Sequence, residues 1–513
     1  MTEPVEFVNP FEDLSRSTKT PDSCLLVIFG ATGDLTARKL IPAIYNLSKE
    51  GQLPSHFACV AFARRKKTHE QFREEMKEAI EKFSRSGIDD NVWKSLSDHI
   101  YYHCSEFHED EGYESLQKFL HQLDNQLGTR GNHLYYLSTQ PSFFPLIIEK
   151  LHKHKLIYPV TQKDKWSRII IEKPFGHDYQ SAVNLQKEIA KYLDESQIFR
   201  IDHYLGKETV QNILVFRFTN PIFEASWNNR HIDNIQISVS EEQGIGTRGR
   251  FWEEAGMLRD IVQNHMMQLL SLVAMEPPIN FLANSIRDEK VKVIQSIRPF
   301  PKNIEQGIVR GQYGKGFIDG KEVIGYREEE NVDKNSDVET FVAAKIYIDN
   351  WRWAGVPFYL RAGKRLPIRT TEIAISFKDA PNYLFKKDGY NIESNVLVIR
   401  IQPDEGISLR MNCKVPGLAQ TIQPVKMSFH YSSYFGSTPP EAYERLICDC
   451  MAGDSTLFAR ADELLASWKL FTPVLEYWQN KKADSSFIYP SGTWGPDSSD
   501  EILHKDGKKW RLI

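Results

Sequence analysis

Six consecutive apolar residues, Cys24-Leu25-Leu26-Val27-Ile28-Phe29, run directly into Gly30-Ala31-Thr32-Gly33-Asp34-Leu35. An uninterrupted apolar run of this length reads as a strand buried on both faces, and such strands belong to parallel sheets wrapped by helices. The next residues fit that arrangement. Leu40, Ile41, Ile44 and Leu47 recur at helical spacing, and Gly51 is placed to end the helix. Pro42 sits awkwardly inside it, because proline has no N–H for the helical ladder. The run FACVAFA at 57–63 reads as a second strand, followed by an amphipathic helix with Phe72, Met76, Ile80 and Phe83 along one stripe. Further strands are predicted at 134–138, 168–174 and 197–201. The alternation predicts an α/β, Rossmann-like dinucleotide-binding domain over 22–204, behind an N-terminal extension of residues 1–21.

Beyond residue 205 the pattern changes. From about 335 to 431 the chain carries consecutive strand-like runs, FVAAKIYID, TEIAISF, NVLVIRIQ, GISLRMNC and KMSFHY, with no good helix between them. Antiparallel connections fit these best. Helices are predicted near 253–274, 441–451 and 461–478. Residues 205–513 therefore form a larger α+β domain on a mainly antiparallel sheet, expected to bind substrate and to carry oligomer contacts.

Composition narrows the function. A chain of 513 residues is too long for one ordinary core. With Lys+Arg 64 against Asp+Glu 68 it has no general attraction for nucleic acid, so any positive site is local. The first twenty residues hold four acids and no apolar stretch, which predicts no export. No apolar run approaches the roughly twenty residues that span a bilayer. Six cysteines without a CxxC pair argue for a reducing compartment, and the cytoplasm is expected.

Four segments carry chemistry. The Gly30–Leu35 turn suits either a pyrophosphate at a helix N-terminus or an ordinary tight connection. The second strand ends in Arg64-Arg65-Lys66-Lys67 where an NAD site usually has an acid, and this is either a reader of a 2′-phosphate or a solvated basic turn. Glu172-Lys173-Pro174-Phe175-Gly176 ends another strand at the ligand-binding edge of such sheets; the bond before Pro174 is open to a cis form. Arg200-Ile201-Asp202-His203-Tyr204-Leu205-Gly206-Lys207-Glu208 packs a carboxylate, an imidazole, a phenol and an ammonium into six positions. Farther on, His265 falls within the apolar face of a helix. As an α-helix this segment sets Asp260 about 140° from His265, so the carboxylate partner of His265 is expected from elsewhere. His99, His103 and His108 are spaced suggestively but lack thiols or an acid cluster, so no metal is expected.

Taken in order, GATGDL, FAR at 62–64, EKPFG, RIDHYLGKE, RDIVQNH and PFYLRAGKRL closely resemble the glucose-6-phosphate dehydrogenase family, over about residues 22–480. The resemblance implies an NADP-dependent oxidoreductase that oxidises glucose 6-phosphate at C1 to the lactone, the entry step of the oxidative pentose phosphate pathway. It implies His265 as the base, Asp202 as the group that orients it, and Lys173 beside the reacting hydroxyl and the nicotinamide. His203, Tyr204, Lys207, Glu241, Asp260, Lys364 and Arg369 match substrate-binding positions. Gly30, Thr32, Gly33, Asp34, Leu35, Arg64 and Lys173 match cofactor-binding positions. A homodimer or homotetramer is usual in the family. Some animal members have a second, structural NADP site after the RAGK segment, but here that stretch reads Arg369-Thr370-Thr371-Glu372-Ile373-Ala374, without its basic residues. Two other readings stand beside this one: a dehydrogenase of another phosphorylated aldose, and a non-catalytic sensor of NADP and sugar phosphate.

Overall fold

The computed structural model describes residues 21–380, 392–418, 421–435, 440–483 and 485–513; the expected N-terminal extension lies outside them except at Pro21. The chain divides into two compact units. The first holds the chain up to Lys173 with Lys187–Ile201 and Tyr443–Phe458; the second holds Pro174–Gln186, Asp202–Ala442 and Ala459–Ile513.

The sheet of the first unit uses β1 (Cys24–Phe29), β2 (Phe57–Ala63), β3 (Ile100–Cys104), β4 (His133–Leu137), β5 (Ser167–Ile171) and β6 (Ile198–Ile201). These six pair in parallel in the order 3-2-1-4-5-6, the order of dinucleotide-binding sheets. Every residue of β1, β2 and β4 is buried, which is why β1 and β2 read as near-continuous apolar runs. The awkward Pro42 is accommodated by a widened turn. Residues Thr36–Leu40 are π-helical, and the α-helix Ile41–Lys49 starts immediately before the proline, where a missing N–H costs little.

Sequence reasoning cut the chain once, at 204/205, whereas the compact units interleave. The helix Ala442–Ala452 was expected within the second domain, yet from Tyr443 it packs with the first unit. Its Glu444 is buried and accepts hydrogen bonds from Asn46 Nδ2 at 2.8 Å, Arg85 Nε at 2.9 Å and Arg85 Nη2 at 2.8 Å. Arg168 Nη1 donates to the carbonyls of Cys450 and Met451 at 2.9 and 2.6 Å. Polar anchors of this kind leave no periodic trace in a sequence.

The second unit is built on nine strands. They are β7 (Ile232–Glu241), β8 (Ile308–Gly314), β11 (Phe341–Tyr347), β12 (Pro357–Lys364), β13 (Thr370–Phe377), β14 (Val396–Gln402), β15 (Gly406–Lys414), β16 (Ile422–His430) and β18 (Ile488–Pro490). Between β8 and β11 lies a small hairpin, β9 (Gly316–Ile318) with β10 (Lys321–Val323), and the two-residue β17 (Phe458–Ala459) joins the edge of the first sheet beside β6. The order is β16-β15-β14-β13-β7-β12-β11-β8-β18, antiparallel except for the β7–β12 and β8–β18 pairs. The five runs read as strands are β11 and β13–β16. The central strands β7 and β12 were not read as strands. In β7 the alternate residues Asn234, Gln236, Ser238 and Ser240 are polar yet buried. The last residues of the chain satisfy one of them: Gln236 donates to the Lys509 carbonyl at 3.0 Å and accepts from the Arg511 N–H at 2.8 Å.

Candidate active site

Strand register in the second unit gathers functional groups at one end of the sheet. In the parallel pair β7–β12, Glu241 lies opposite Lys364, and the two side chains form an ion pair. Lys364 is buried, and its ammonium lies 4.6 Å from the centre of the Trp252 ring, a cation–π contact. Next door, Thr371 of β13 pairs with Gln402 of β14. Both reach the segment that follows β6: Tyr204 Oη lies 3.4 Å from Thr371 Oγ1, and Lys207 Nζ donates to Gln402 Oε1 at 2.5 Å. The strand ends thus hold two ammonium groups, each already oriented by a polar partner.

The imidazole of His265 meets the carboxylate of Asp202 here. His265 Nδ1 is 2.5 Å from Asp202 Oδ1, and both side chains are buried. Asp202 Oδ1 also accepts the backbone N–H of Tyr204 at 3.0 Å, which ties the carboxylate to the turn. The Tyr204 ring stacks on His265 with centroids 4.4 Å apart and planes 20° apart, while His203 meets the same imidazole edge-on at 4.6 Å. Two rings and one carboxylate therefore fix the imidazole plane. Burial drives the Tyr204 phenol far above its ordinary range, and the carboxylates of Glu241, Asp202 and Asp260 act on it in the same direction. It stays a neutral donor.

The helix that carries His265 departs from expectation. Leu258–Met266 is π-helical, with hydrogen bonds from i to i+5 rather than to i+4. Residues five apart, such as Asp260 and His265, then lie nearly above one another, so the 140° separation expected for an α-helix does not hold. The π segment begins after Gly256, whose φ of 65° and ψ of 175° break the preceding helix. A Cβ there would come within 2.4 Å of Glu339 Oε1, and that oxygen accepts the Leu258 N–H at 3.0 Å. Glu339 therefore caps the helix that presents His265. Its own burial raises its carboxyl pKa.

The first unit supplies the turn expected for a dinucleotide. Gly30 has φ +83°, and a Cβ on it would lie 2.3 Å from the Ser138 carbonyl, so only glycine fits. Gly33 N–H returns to the Gly30 carbonyl at 2.9 Å, while Thr32 and Leu35 are half-buried and Asp34 is exposed, in a loose ion pair with Arg38 at 3.5 Å. Arg64 and Arg65 are exposed at the end of β2, and among the described residues neither is in an ion pair. A cradle closed to any side chain, at the head of a helix and with two cations on the neighbouring strand, fits a phosphorylated dinucleotide.

Lys173 lies two residues beyond β5, in the first unit, half-buried. The Lys173–Pro174 peptide is trans; the cis bond among the described residues is Gln402–Pro403. Arg369 is exposed, and it is its backbone N–H, rather than its guanidinium, that has an identified partner, Glu242 Oε1 at 3.0 Å. Three residues at this site escaped sequence reasoning. Thr371 and Trp252 lie close to recognised motifs, whereas nothing around Gln402 marks it.

Residues 27–212 match the model of the glucose-6-phosphate dehydrogenase NAD binding domain, and residues 214–511 match that family's C-terminal domain. A glucose-6-phosphate 1-dehydrogenase of Chlamydia pneumoniae is 57% identical over 502 residues, covering 97% of this chain and 98% of the relative. Its Bacillus subtilis counterpart is 46% identical over 494 residues, covering 96% and 99%. A solved glucose-6-phosphate dehydrogenase in complex with its substrate glucose 6-phosphate superposes with a TM-score of 0.88 at 38% identity, over 97% of this chain and 100% of that one. On this agreement of fold, domain models and full-length relatives, the chain belongs to the glucose-6-phosphate dehydrogenase family.

Proposed function

We propose that this chain oxidises D-glucose 6-phosphate at C1 to 6-phospho-D-glucono-1,5-lactone, with NADP as hydride acceptor and His265 as general base. The observation that carries this reading is the buried His265–Asp202 pair at 2.5 Å, set beside the ammonium groups of Lys207 and Lys364. Asp202 accepts a hydrogen bond from Nδ1–H, which sets Nε2 as the nitrogen that takes the C1 hydroxyl proton. As that proton arrives, the carboxylate stabilises the imidazolium that forms. The stacked Tyr204 ring keeps the imidazole from turning away. When bound, the nicotinamide of NADP supplies the acceptor for the hydride that leaves C1.

His203, Tyr204 and Lys207 are assigned to the sugar's phosphate, which a phenol held neutral and an ammonium both suit as donors. Glu241, Asp260, Lys364 and Arg369 are assigned to the sugar and its phosphate. Lys173 is assigned to the reacting hydroxyl and the cofactor. The purified protein is expected to produce NADPH absorbance with glucose 6-phosphate and NADP, and to turn over galactose and glucosamine 6-phosphates more slowly. Equal turnover of all three would overturn the substrate assignment.

Gly30, Thr32, Gly33, Asp34 and Leu35 are assigned to the cofactor's pyrophosphate, and Arg64 to its 2′-phosphate. Arg64→Ala is expected to lower kcat/KM for NADP by about tenfold to a hundredfold, the size of a lost charge-assisted contact, and to leave kcat/KM for NAD nearly unchanged. Equal losses with both cofactors would remove Arg64 from this role.

We also infer a homo-oligomer, dimer or tetramer, formed through β15 and β16. These strands end the nine-stranded sheet, and β16 exposes Val425 and Met427, the latter by 60%, followed by exposed Tyr434 and Phe435. An apolar edge of this kind calls for a partner surface. Light scattering should give a mass that is a multiple of 59.4 kDa, reduced by Met427→Asp. An unchanged mass would place the interface elsewhere. The cysteines are free thiols, in keeping with the cytoplasm expected from the sequence. Among the described residues no helix is long and apolar enough to cross a membrane.

A further inference from the structure

Among the described residues, three side chains could hold a metal ion together: Asp202, His203 and His265, whose ligand atoms all lie within 4.8 Å of one another. His99, His103 and His108, spaced suggestively but not expected to hold a metal, are not among these three; His103 Nε2 is 3.1 Å from the Gly112 carbonyl and from Ser115 Oγ. We propose that Asp202, His203 and His265 form an inhibitory site for a borderline-soft divalent cation, zinc foremost.

The donor set selects the ion. Two imidazoles with one carboxylate suit zinc, whereas magnesium and calcium need several oxygens and find a single carboxylate here. Tetrahedral zinc with bonds of about 2.0–2.2 Å needs ligand atoms about 3.3–3.5 Å apart, with water in the fourth position. Asp202 Oδ1 and His265 Nδ1, at 2.5 Å, are held by a hydrogen bond that the ion replaces, so the pair opens by about 1 Å on binding. His203, half-buried beside them, brings the second imidazole, and the three ligand atoms lie within 4.8 Å of one another.

The consequence is inhibition rather than catalysis. Zinc on Nδ1 displaces the proton there, so the imidazole carries its proton on Nε2, the nitrogen the proposed base uses, and the ion takes up Asp202, the group that orients that base. Ion and substrate then compete for one set of side chains. Metal binding itself is read without turnover, so failure of this inference and failure of the dehydrogenase reading are distinguishable.

Equilibrium dialysis of the metal-free protein against zinc chloride is expected to give one ion per chain, bound more weakly when glucose 6-phosphate is saturating. His203→Gln and His265→Asn should each weaken binding by about tenfold or more, the scale of losing a group that supports a metal site. Cys104→Ser, which removes an exposed thiol outside the ligand set, should leave it unchanged. Cobalt provides a readout that needs no variant, because a site of nitrogen and oxygen donors lacks the thiolate charge-transfer band. Binding that survives His203→Gln intact, binding lost in Cys104→Ser, a cobalt–thiolate band, or no bound ion would each overturn the proposal.

Discussion

His265→Asn is expected to lower kcat with glucose 6-phosphate and NADP by about 10²–10⁴-fold, the range attributed to general-base catalysis, while KM changes by no more than a few fold. Asparagine can still donate to Asp202, so the buried carboxylate keeps a partner and the fold is not asked to bury a lone charge. What disappears is a group able to accept a proton. Asp202→Asn tests the other half of the pair. Its amide can donate to Nδ1 and so favour the tautomer whose Nε2 carries the proton, which is unfit to act as base. A large loss in kcat is expected there too, and combining the two changes should cost little more than either alone, because they act as a unit. If kcat with His265→Asn matched the parent, the imidazole would have no part in proton removal. A change confined to KM would make it a binding residue.

The parts of this site that were legible in the sequence are those written by contiguous residues. The Asp202–Lys207 segment advertises itself by density of functional groups, and the Gly30 turn by its place between an apolar run and a helical period. The partnership of His265 was legible only in part. Its burial on an apolar helix face and its need for a carboxylate from elsewhere both followed from periodicity, and Asp202 as that carboxylate came from the family resemblance. The π-helical winding did not follow, because the backbone switches hydrogen-bond register through tertiary contacts: Gly256 fits against Glu339, which lies eighty-one positions beyond Leu258 in the chain. The 140° separation of Asp260 from His265 expected for an α-helix accordingly does not hold. Asp202, expected within the 22–204 domain, opens a segment of the second compact unit, which also holds His265. The Glu241–Lys364 and Thr371–Gln402 contacts depend on strand register across the sheet, and register between distant strands is fixed by packing that no local pattern records.

The same limit explains why Tyr443–Phe458, expected in the second domain, groups with the first compact unit, and it leads to the largest expected effect on stability. Arg85→Ala should lower the stability of the first unit by about 3–5 kcal/mol, the cost of stranding one partner of a buried ion pair. Glu444 has only 1% of its side chain exposed, and Arg85 meets it through two guanidinium nitrogens. That pairing raises the guanidinium pKa above its ordinary value, with the Glu444 hydrogen bond as the largest cause. Without Arg85, the carboxylate keeps Asn46 Nδ2 as its remaining identified partner, and one amide does not replace a cation in a site shielded from water. Loosening this anchor should free the Tyr443–Phe458 segment first, so limited proteolysis should cut there before urea unfolds the rest. Adding Glu444→Gln to Arg85→Ala should recover a substantial part of the loss, because a neutral amide can hydrogen-bond to Asn46 without burying charge. A urea midpoint within error of the parent for Arg85→Ala alone, with no new cleavage between 443 and 458, would show that apolar packing, and not this ion pair, holds the segment in place.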